Sequence, residues 1–175
     1  HILQPSMWSV FLVVPTGRAG EEDLPDPEEL ESVLEEMADL AGEAPYGIKT
    51  TEGHHFRRVL IQRGRSRNGK GLRAPLGVRD GRGIMFIGHD GVVTPSGFLP
   101  IKCGNVRETH PATIYREHPL FISLRDNDAL GGKCGRCEFR NTCGGSRSRA
   151  WGATGDPFAE EPLCPYIPKE ELDLI

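Results

Sequence analysis

Residues 132–168 have the sequence GKCGRCEFRNTCGGSRSRAWGATGDPFAEEPLCPYIP, and the four cysteines in this stretch decide its architecture. Their spacing is C-x2-C-x5-C-x20-C, and they are Cys134, Cys137, Cys143 and Cys164. Four soft thiolates at such spacing are typical of a site for zinc or for an iron–sulfur cluster. We therefore predict a metal site that holds this part of the chain in shape.

Residues 132–168 resemble the C-terminal SPASM region of radical SAM enzymes, and the closest subgroup includes heme-biosynthesis maturases. The similarity continues upstream through TEGHHFRRV (residues 51–59), VTPSGFLP (residues 93–100) and GNVRE (residues 104–108). The resemblance implies that the four cysteines bind an auxiliary 4Fe-4S cluster. Because four protein thiolates fill all four iron sites, it further implies a role in electron transfer or structural support.

The chain departs from this family at the ligands of a second auxiliary cluster. In the G-x4-C motif that begins at Gly91, the cysteine is replaced by Ser96. The last cysteine of the family pattern C-x2-C-x5-C-x3-C is replaced by Arg147. One auxiliary cluster is therefore expected. Cys103 lies outside the pattern and is predicted to be a small buried hydrophobic residue, with metal contact as the alternative.

The SAM-binding motif C-x3-C-x2-C of these enzymes is absent, because no cysteine precedes Cys103. The chain has 175 residues, which is too few for a cluster domain plus a complete eight-stranded barrel of about 250 residues. We expect the C-terminal part of a radical SAM enzyme, whose N-terminal half would supply the SAM site. Whether this chain alone is an enzyme is left open, since it cannot build that site.

The first part of the chain has the pattern strand, helix, strand. An apolar run at residues 9–14 predicts a buried parallel strand, and residues 47–51 predict the next strand. The helix between them is predicted from Asp26 as N-cap, with Pro27 at the first position and Glu29 in a capping box. The buried face of this helix is expected to consist of Leu30, Val33, Leu34, Met37, Leu40 and Ala41. The helix is expected to end at Gly42.

Residues 84–94 predict a β-hairpin around His89-Asp90-Gly91. Residues 113–124 predict a helix that Pro119 can break. Residues 147–154 predict a short helix that ends at Gly155. Gly144 and Gly145 are predicted to let the backbone pass closely around the cluster. The expected fold class is α/β to α+β. We assign residues 1–82 to the last strand–helix units of a partial (β/α) radical SAM barrel, and residues 83–175 to a small SPASM- or twitch-like iron–sulfur domain.

Charge is distributed unevenly, although the net charge is only −4. Residues 21–43 contain eleven acidic residues and no basic one, whereas residues 57–82 contain nine basic residues and the single acid Asp80. We expect these segments to attract each other, the first as a solvated helix face and the second as an exposed loop. Alternatively, the basic segment binds an acidic substrate, such as a carboxylate-rich tetrapyrrole or an acidic peptide, because arginine binds carboxylates bidentately. Nucleic acid is disfavoured, because interleaved aromatic residues are absent and the whole chain is acidic.

A group of polar residues follows each predicted strand, at the end where barrels place their active sites. The first group is Thr16, Gly17 and Arg18, and the second is His54, His55, Arg57 and Arg58. Neighbouring histidines are more often structural than catalytic, so neither group receives a catalytic role. Near the thiolates, Arg136, Arg140 and Arg147 are placed to tune the cluster potential.

Cysteine usage indicates a reducing compartment, because five cysteines with four of them clustered do not suit a disulfide framework. No membrane-spanning run or signal-peptide pattern is found, so a cytoplasmic protein is expected. We predict the C-terminal part of a radical SAM/SPASM oxidoreductase that acts in heme-like cofactor or peptide maturation. The alternative is a non-catalytic zinc-binding interaction module, because C-x2-C pairs commonly bind zinc.

Overall fold

The computed structural model describes residues 5–64 and 77–172. In these residues the chain forms a parallel two-stranded sheet and an antiparallel three-stranded sheet. The parallel sheet pairs β1 (Met7–Phe11) with β2 (Gly47–Thr51), and α1 (Pro27–Glu43) connects the two strands. The predicted strand–helix–strand unit is therefore present. The described residues form no closed barrel, because the parallel sheet contains these two strands alone.

Helix α1 begins at the predicted N-cap and proline, whereas the predicted capping box with Glu29 is not among its described cap contacts. The Asp26 carboxylate accepts hydrogen bonds from the backbone N–H groups of Glu28 and Glu29, at 3.0 and 3.1 Å. These donors belong to the first turn, where a helix leaves its N–H groups without partners inside the helix. Pro27 occupies the first helical position, where its missing N–H has no cost.

The buried face of α1 is narrower than predicted, and it consists of Leu30, Leu34, Met37, Ala38 and Ala41. Val33 and Leu40 are 46% and 39% exposed, because the helical repeat places both on the outer edge of this stripe. Gly42 does not end the helix, which continues to Glu43. The stop instead lies at Ala44, whose extended backbone is favoured by the proline that follows it.

Strand β1 begins two residues before the predicted run and is mostly exposed. Trp8 and Phe11 are 43% and 51% exposed, since only one edge of β1 is paired within the described part of the chain. The buried members of the run are Leu12 and Val14, which follow the strand. The first core lies between the parallel sheet, α1 and α2 (Phe56–Gln62), and one residue of the C-terminal segment joins it. Its buried members are Leu12, Leu30, Leu34, Met37, Ala38, Ala41, Ile48, Phe56, Val59, Leu60 and Leu163.

The predicted hairpin is confirmed as β3 (Phe86–Ile87) and β4 (Val92–Thr94), and β5 (Gly104–Asn105) pairs with the other edge of β4. Pro119 splits the predicted helix into α3 (Pro111–Glu117) and α4 (Pro119–Arg125). A second core lies between these elements and contains Val93, Cys103, Ile114 and Phe121. Cys103 is therefore buried among apolar side chains, as predicted.

Three further helices follow, α5 (Gly132–Arg136), α6 (Arg147–Thr154) and α7 (Lys169–Leu172). Gly155 ends α6 as predicted, with a φ of 76° that suits glycine. None of the helices in the described ranges has both the length and the apolar character needed to cross a membrane. The division into residues 1–82 and 83–175 stays a prediction.

Ion pairs confirm the expected attraction between the acidic and basic segments. Arg58 binds Glu31, and Arg63 lies 2.7 Å from Glu35 and 3.0 Å from Asp39. These contacts fasten α2 and the residue after it to α1. The basic residues at positions 65–76 lie outside the described residues.

Candidate metal centre

The four cysteines of the predicted metal site surround a single cavity. Cys134 lies in α5, Cys137 follows the end of this helix, Cys143 lies in the loop before α6, and Cys164 precedes α7. All four line the same cavity. Within residues 5–64 and 77–172, no three Cys, His or carboxylate side chains converge closely enough to hold one metal ion. The four thiols thus face one shared space without converging on a single point.

Two of the four sulfur atoms accept a hydrogen bond from a backbone N–H group, which belongs to Glu161 for Cys134, at 3.3 Å, and to Phe139 for Cys137, at 3.4 Å. The backbone at Gly145 and Tyr166 acts to lower the pKa of Cys143 and of Cys164. Such interactions are stronger when the acceptor is charged, so they stabilise a thiolate more than a thiol. The backbone is therefore arranged to favour thiolates at this site.

Burial opposes the charged form of these cysteines. It raises the pKa of Cys143 to about 12 and the pKa of Cys137 to about 11. Burial also raises the pKa of Cys164, although the nearby charge of Arg58 acts in the opposite direction. These three thiols consequently keep their protons at neutral pH until a metal replaces them.

Arginine side chains supply positive charge beside the sulfur atoms. Arg58 Nη2 lies 3.6 Å from Cys164 Sγ, and Arg147 Nη2 lies 3.9 Å from Cys134 Sγ. Arg140, the second arginine predicted to tune a cluster, lines the cavity. Arg136, the third, is exposed on α5.

Two glycines allow the backbone to pass close to the cysteines. Gly144 and Gly145 have φ values of 69° and 63°, a conformation that favours glycine. A Cβ atom on Gly145 would lie 2.8 Å from Glu161 Cβ and 3.5 Å from Cys134 Sγ. The structure thus places both glycines where the sequence predicted a close approach.

The two histidines after β2 are buried, and they do not form an open active-site rim. His55 is 0% exposed and lines the cavity. Burial, which outweighs the opposite effect of the nearby Glu161 charge, lowers the pKa of His55 to about 4, so the ring is neutral at pH 7. Within the described residues, neither ring nitrogen of His55 has a hydrogen-bond partner, and His54 Nδ1 has none either.

Residues 146–149 begin α6 and are fully buried, although serine and arginine are usually exposed. We call them the buried Ser-Arg segment. Ser146 caps the helix, because its Oγ accepts the N–H of Arg149 at 3.0 Å. The N–H and Oγ of Ser148 donate to the Asp80 carboxylate at 2.9 and 2.8 Å. The two buried serines of this segment therefore have defined partners, as buried polar groups require.

Arg149 connects the ends of the parallel strands with the cysteine loop. Its Nε donates to the carbonyl of Val13 at 3.0 Å, and its Nη2 donates to the carbonyl of Glu52 at 2.7 Å. Its Nη1 donates to both carboxylate oxygens of Glu161, at 2.9 and 3.0 Å. Burial alone would raise the pKa of Glu161, but the charges of Arg149 and its other neighbours hold this pKa below its ordinary value. Because the Glu161 N–H donates to Cys134, one side chain joins β1, β2 and the metal site.

Comparison with known proteins identifies relatives of the chain, although no protein-family profile matches it. An AdoMet-dependent heme synthase of Oleidesulfovibrio alaskensis is 37% identical over 97% of this chain. A protein of the same name from Nitratidesulfovibrio vulgaris is 38% identical over 93%. The chain is homologous to AdoMet-dependent heme synthases. The predicted resemblance to radical SAM proteins of heme biosynthesis is therefore confirmed.

The homology covers only part of each relative. The chain spans about half the length of the curated heme synthases, namely 46% of the first and 47% of the second. A pre-heme d1 synthase of Dinoroseobacter shibae is 35% identical over 54% of the chain, which corresponds to 24% of that relative.

The two positions that depart from a second-cluster pattern both lie in the packed interior. Ser96 Oγ lies 3.1 Å from Ser148 Oγ, inside the buried Ser-Arg segment. Arg147 Nη1 donates to the carbonyl groups of Pro157 and Ala159, at 3.1 and 2.6 Å. Protein hydrogen bonds thus occupy both side chains. Cys103 does not line the cavity, and neither do Thr16, Gly17 and Arg18, of which the last two are exposed.

The sequence did not predict the burial of the Ser-Arg segment or of its partners Glu52, Asp80 and Glu161. Glu52 follows β2 and is the one non-glycine residue with positive φ in the described ranges, at 58°. Its carboxylate accepts a hydrogen bond from Ser146 Oγ. Burial and then the Asp80 charge raise the pKa of Glu52 to about 7. Only Ser146, a typical N-cap residue, had a recognisable sequence signal.

The raised pKa of Glu52 predicts a stability that falls as pH rises. The folded pKa of about 7 lies above the ordinary value of 4.5. Below pH 4.5 the Glu52 carboxyl is protonated in both the folded and the unfolded protein, so its ionisation costs no stability. Above the folded pKa it is ionised in both, and the full cost of its buried charge is subtracted from the free energy of unfolding. We expect Glu52→Gln to gain stability relative to wild type between about pH 5 and about pH 8, by on the order of 3 kcal/mol. Thermal unfolding at both pH values measures this difference. The control Ser146→Ala keeps the Glu52 carboxyl group and should keep the fall in stability with rising pH. If Glu52→Gln changed the stability equally at both pH values, the raised pKa would not belong to Glu52.

Proposed function

We propose that Cys134, Cys137, Cys143 and Cys164 bind one 4Fe-4S cluster. The observation that carries this proposal is the arrangement of the four thiols around one cavity, with backbone N–H groups donated to the sulfurs of Cys134 and Cys137. Such a cluster takes one thiolate per iron, so its ligands surround a space of several atoms. A single zinc ion instead draws four thiolates to about 2.3 Å. Among the described residues, no three cysteines converge closely enough to hold one metal ion, which favours the cluster.

We further propose that the chain is the C-terminal part of a radical SAM/SPASM oxidoreductase, in which this cluster is auxiliary. Support comes from the homology to AdoMet-dependent heme synthases and from the lack of a C-x3-C-x2-C motif in the chain. When bound, the cluster supplies one-electron transfer or structural support. The chain's own residues hold it, because the N–H donors and the guanidinium groups of Arg58 and Arg147 offset the charge of the thiolates.

The missing partner of this chain would be an N-terminal radical SAM half, which contributes the SAM site and the other strands of the barrel. The exposed apolar side chains of β1 suit such a neighbour, since Trp8 and Phe11 would be covered by an adjoining strand or helix. This arrangement would make β1 and β2 the last strands of the complete barrel.

We propose a tetrapyrrole as the substrate of the complete enzyme, in heme-like cofactor maturation. The support is the names of the relatives, which include heme synthases and a pre-heme d1 synthase.

The basic segment gives less support than its sequence suggested. Arg58 is bound to Glu31, Arg57 donates to the carbonyl of Val78 at 2.8 Å, and Arg79 donates to Asn127 at 2.7 Å. These three arginines therefore serve the protein interior.

Anaerobic reconstitution with iron and sulfide tests the cluster proposal. We expect about four irons and about four sulfides per chain, because a cubane held by four thiolates has this composition. The measurement combines iron and sulfide assays with EPR of the dithionite-reduced protein. Zinc supplied alone at equal concentration is the control.

The possible metal contents separate the alternatives. About eight irons with spectra of two clusters would contradict the single-cluster proposal. One zinc bound to four thiolates, together with failure to retain iron and sulfide, would favour the zinc-binding interaction module.

A further inference from the structure

His55 is a buried side chain whose hydrogen-bonding groups have no partner among residues 5–64 and 77–172. It lies at the N-terminus of α2, directly after the turn that leaves β2. The side chain is 0% exposed, and both Nδ1 and Nε2 lack a hydrogen bond. A buried polar group without a partner is costly, and in a native structure it often marks the place of an additional ligand atom.

The groups around His55 are already engaged with other partners. Arg58 donates to Glu31 and Gln62, and Arg149 donates to Val13, Glu52 and Glu161. The Glu161 carboxylate accepts hydrogen bonds from Arg149 and from the N–H of Ser146 at 2.7 Å. Around this ring, the described protein groups therefore offer no free acceptor that an imidazole N–H reaches.

The cavity provides the remaining direction for the ring. His55 lines the cavity together with all four cysteines. A neutral imidazole carries one N–H donor and one acceptor nitrogen. Cluster sulfides and thiolate sulfurs are acceptors, and hydrogen bonds to them help to set the reduction potential.

We propose that a ring N–H of His55 donates a hydrogen bond to a sulfur of the cluster and thereby raises its reduction potential. This inference rests on the proposed cluster function. Reduction adds negative charge to the cluster, so a donor to sulfur stabilises the reduced form more than the oxidised form. His55 is a positioning and tuning residue that provides no covalent bond to iron.

His55→Leu tests the proposal, because leucine fills similar space without an N–H. We expect the variant to retain about four irons and to favour the oxidised cluster by about tenfold relative to wild type, which for one electron is a potential about 59 mV lower. EPR-monitored redox titration at fixed pH measures the shift. The matched control is His54→Leu, which removes a neighbouring buried imidazole that does not line the cavity and should leave the potential unchanged.

Pulsed EPR of the reduced wild-type protein tests the same contact without any substitution at His55. Protein grown with isotope-labelled histidine should show coupling between the cluster spin and a ring nitrogen, and His54→Leu should retain this coupling. Lack of coupling in wild type, or an unchanged potential in His55→Leu with full iron content, would overturn the inference. Failure of wild type itself to bind iron and sulfide would overturn the proposed function instead.

Discussion

Arg149→Met should destabilise the protein by about 3–5 kcal/mol, because it leaves the Glu161 carboxylate buried without its charge partner. Arg149 and Glu161 are 0% and 1% exposed, so water does not replace the lost guanidinium. For a chain of this size we expect the thermal unfolding midpoint to fall by roughly 6–20 °C. Differential scanning measurements at fixed protein and iron concentrations check this result.

A double-mutant cycle separates the ion pair from other effects of the substitution. Arg149→Met combined with Glu161→Gln should recover part of the loss, since the amide still accepts the Ser146 N–H and carries no charge. Arg63→Met is the matched surface control. It breaks the half-exposed contacts with Glu35 and Asp39, which are worth less than about 1 kcal/mol. Equal losses in Arg149→Met and Arg63→Met would contradict the central role given to Arg149.

Cys137→Ala should lose most of the cluster, whereas Cys103→Ala should keep it. Cys137 lines the cavity and provides one of four proposed bonds to iron, but Cys103 packs in the second core with Val93 and Phe121. The pair is well matched, because burial raises the pKa of each thiol to about 11. Iron and sulfide assays after anaerobic reconstitution give the result.

Stability measurements show whether a variant loses iron because it unfolds. Cys103→Ala removes a buried sulfur and is expected to cost on the order of 1 kcal/mol, without loss of iron. If both variants lost iron equally while remaining folded, the ligand assignment would be wrong. If Cys137→Ala kept about four irons with wild-type EPR spectra, Cys137 would not be a ligand.

The parts of the fold that depend on local chemistry were predictable. Asp26 and Pro27 define the start of α1, Gly155 defines the end of α6, and Pro119 divides α3 from α4. In each case a single residue changes the backbone or its hydrogen bonds within one turn. The cysteine spacing likewise predicted which four side chains surround one cavity.

The remaining features depend on neighbours that are distant in the sequence. Val33 and Leu40 are apolar, yet their exposure is decided by where α2 and β2 contact α1. The buried Ser-Arg segment has the composition of a surface loop, and its burial follows from partners such as Asp80 and Glu161. No local pattern contains this information, because arginine and serine are normally found in water.

The contacts of Arg149 also have a consequence for the order of folding and cluster assembly. Arg149 donates to Val13 and Glu52, which precede it by 136 and 97 residues. Contacts between such distant positions require large loops to close, so they form later than local helices and turns. Until then, the loop that carries Cys134 and Cys143 has no fixed connection to β1 and β2. We therefore expect the four cysteines to come together late in folding, after α1 and α2 have formed, so that the cluster site is complete only when Arg149 has docked.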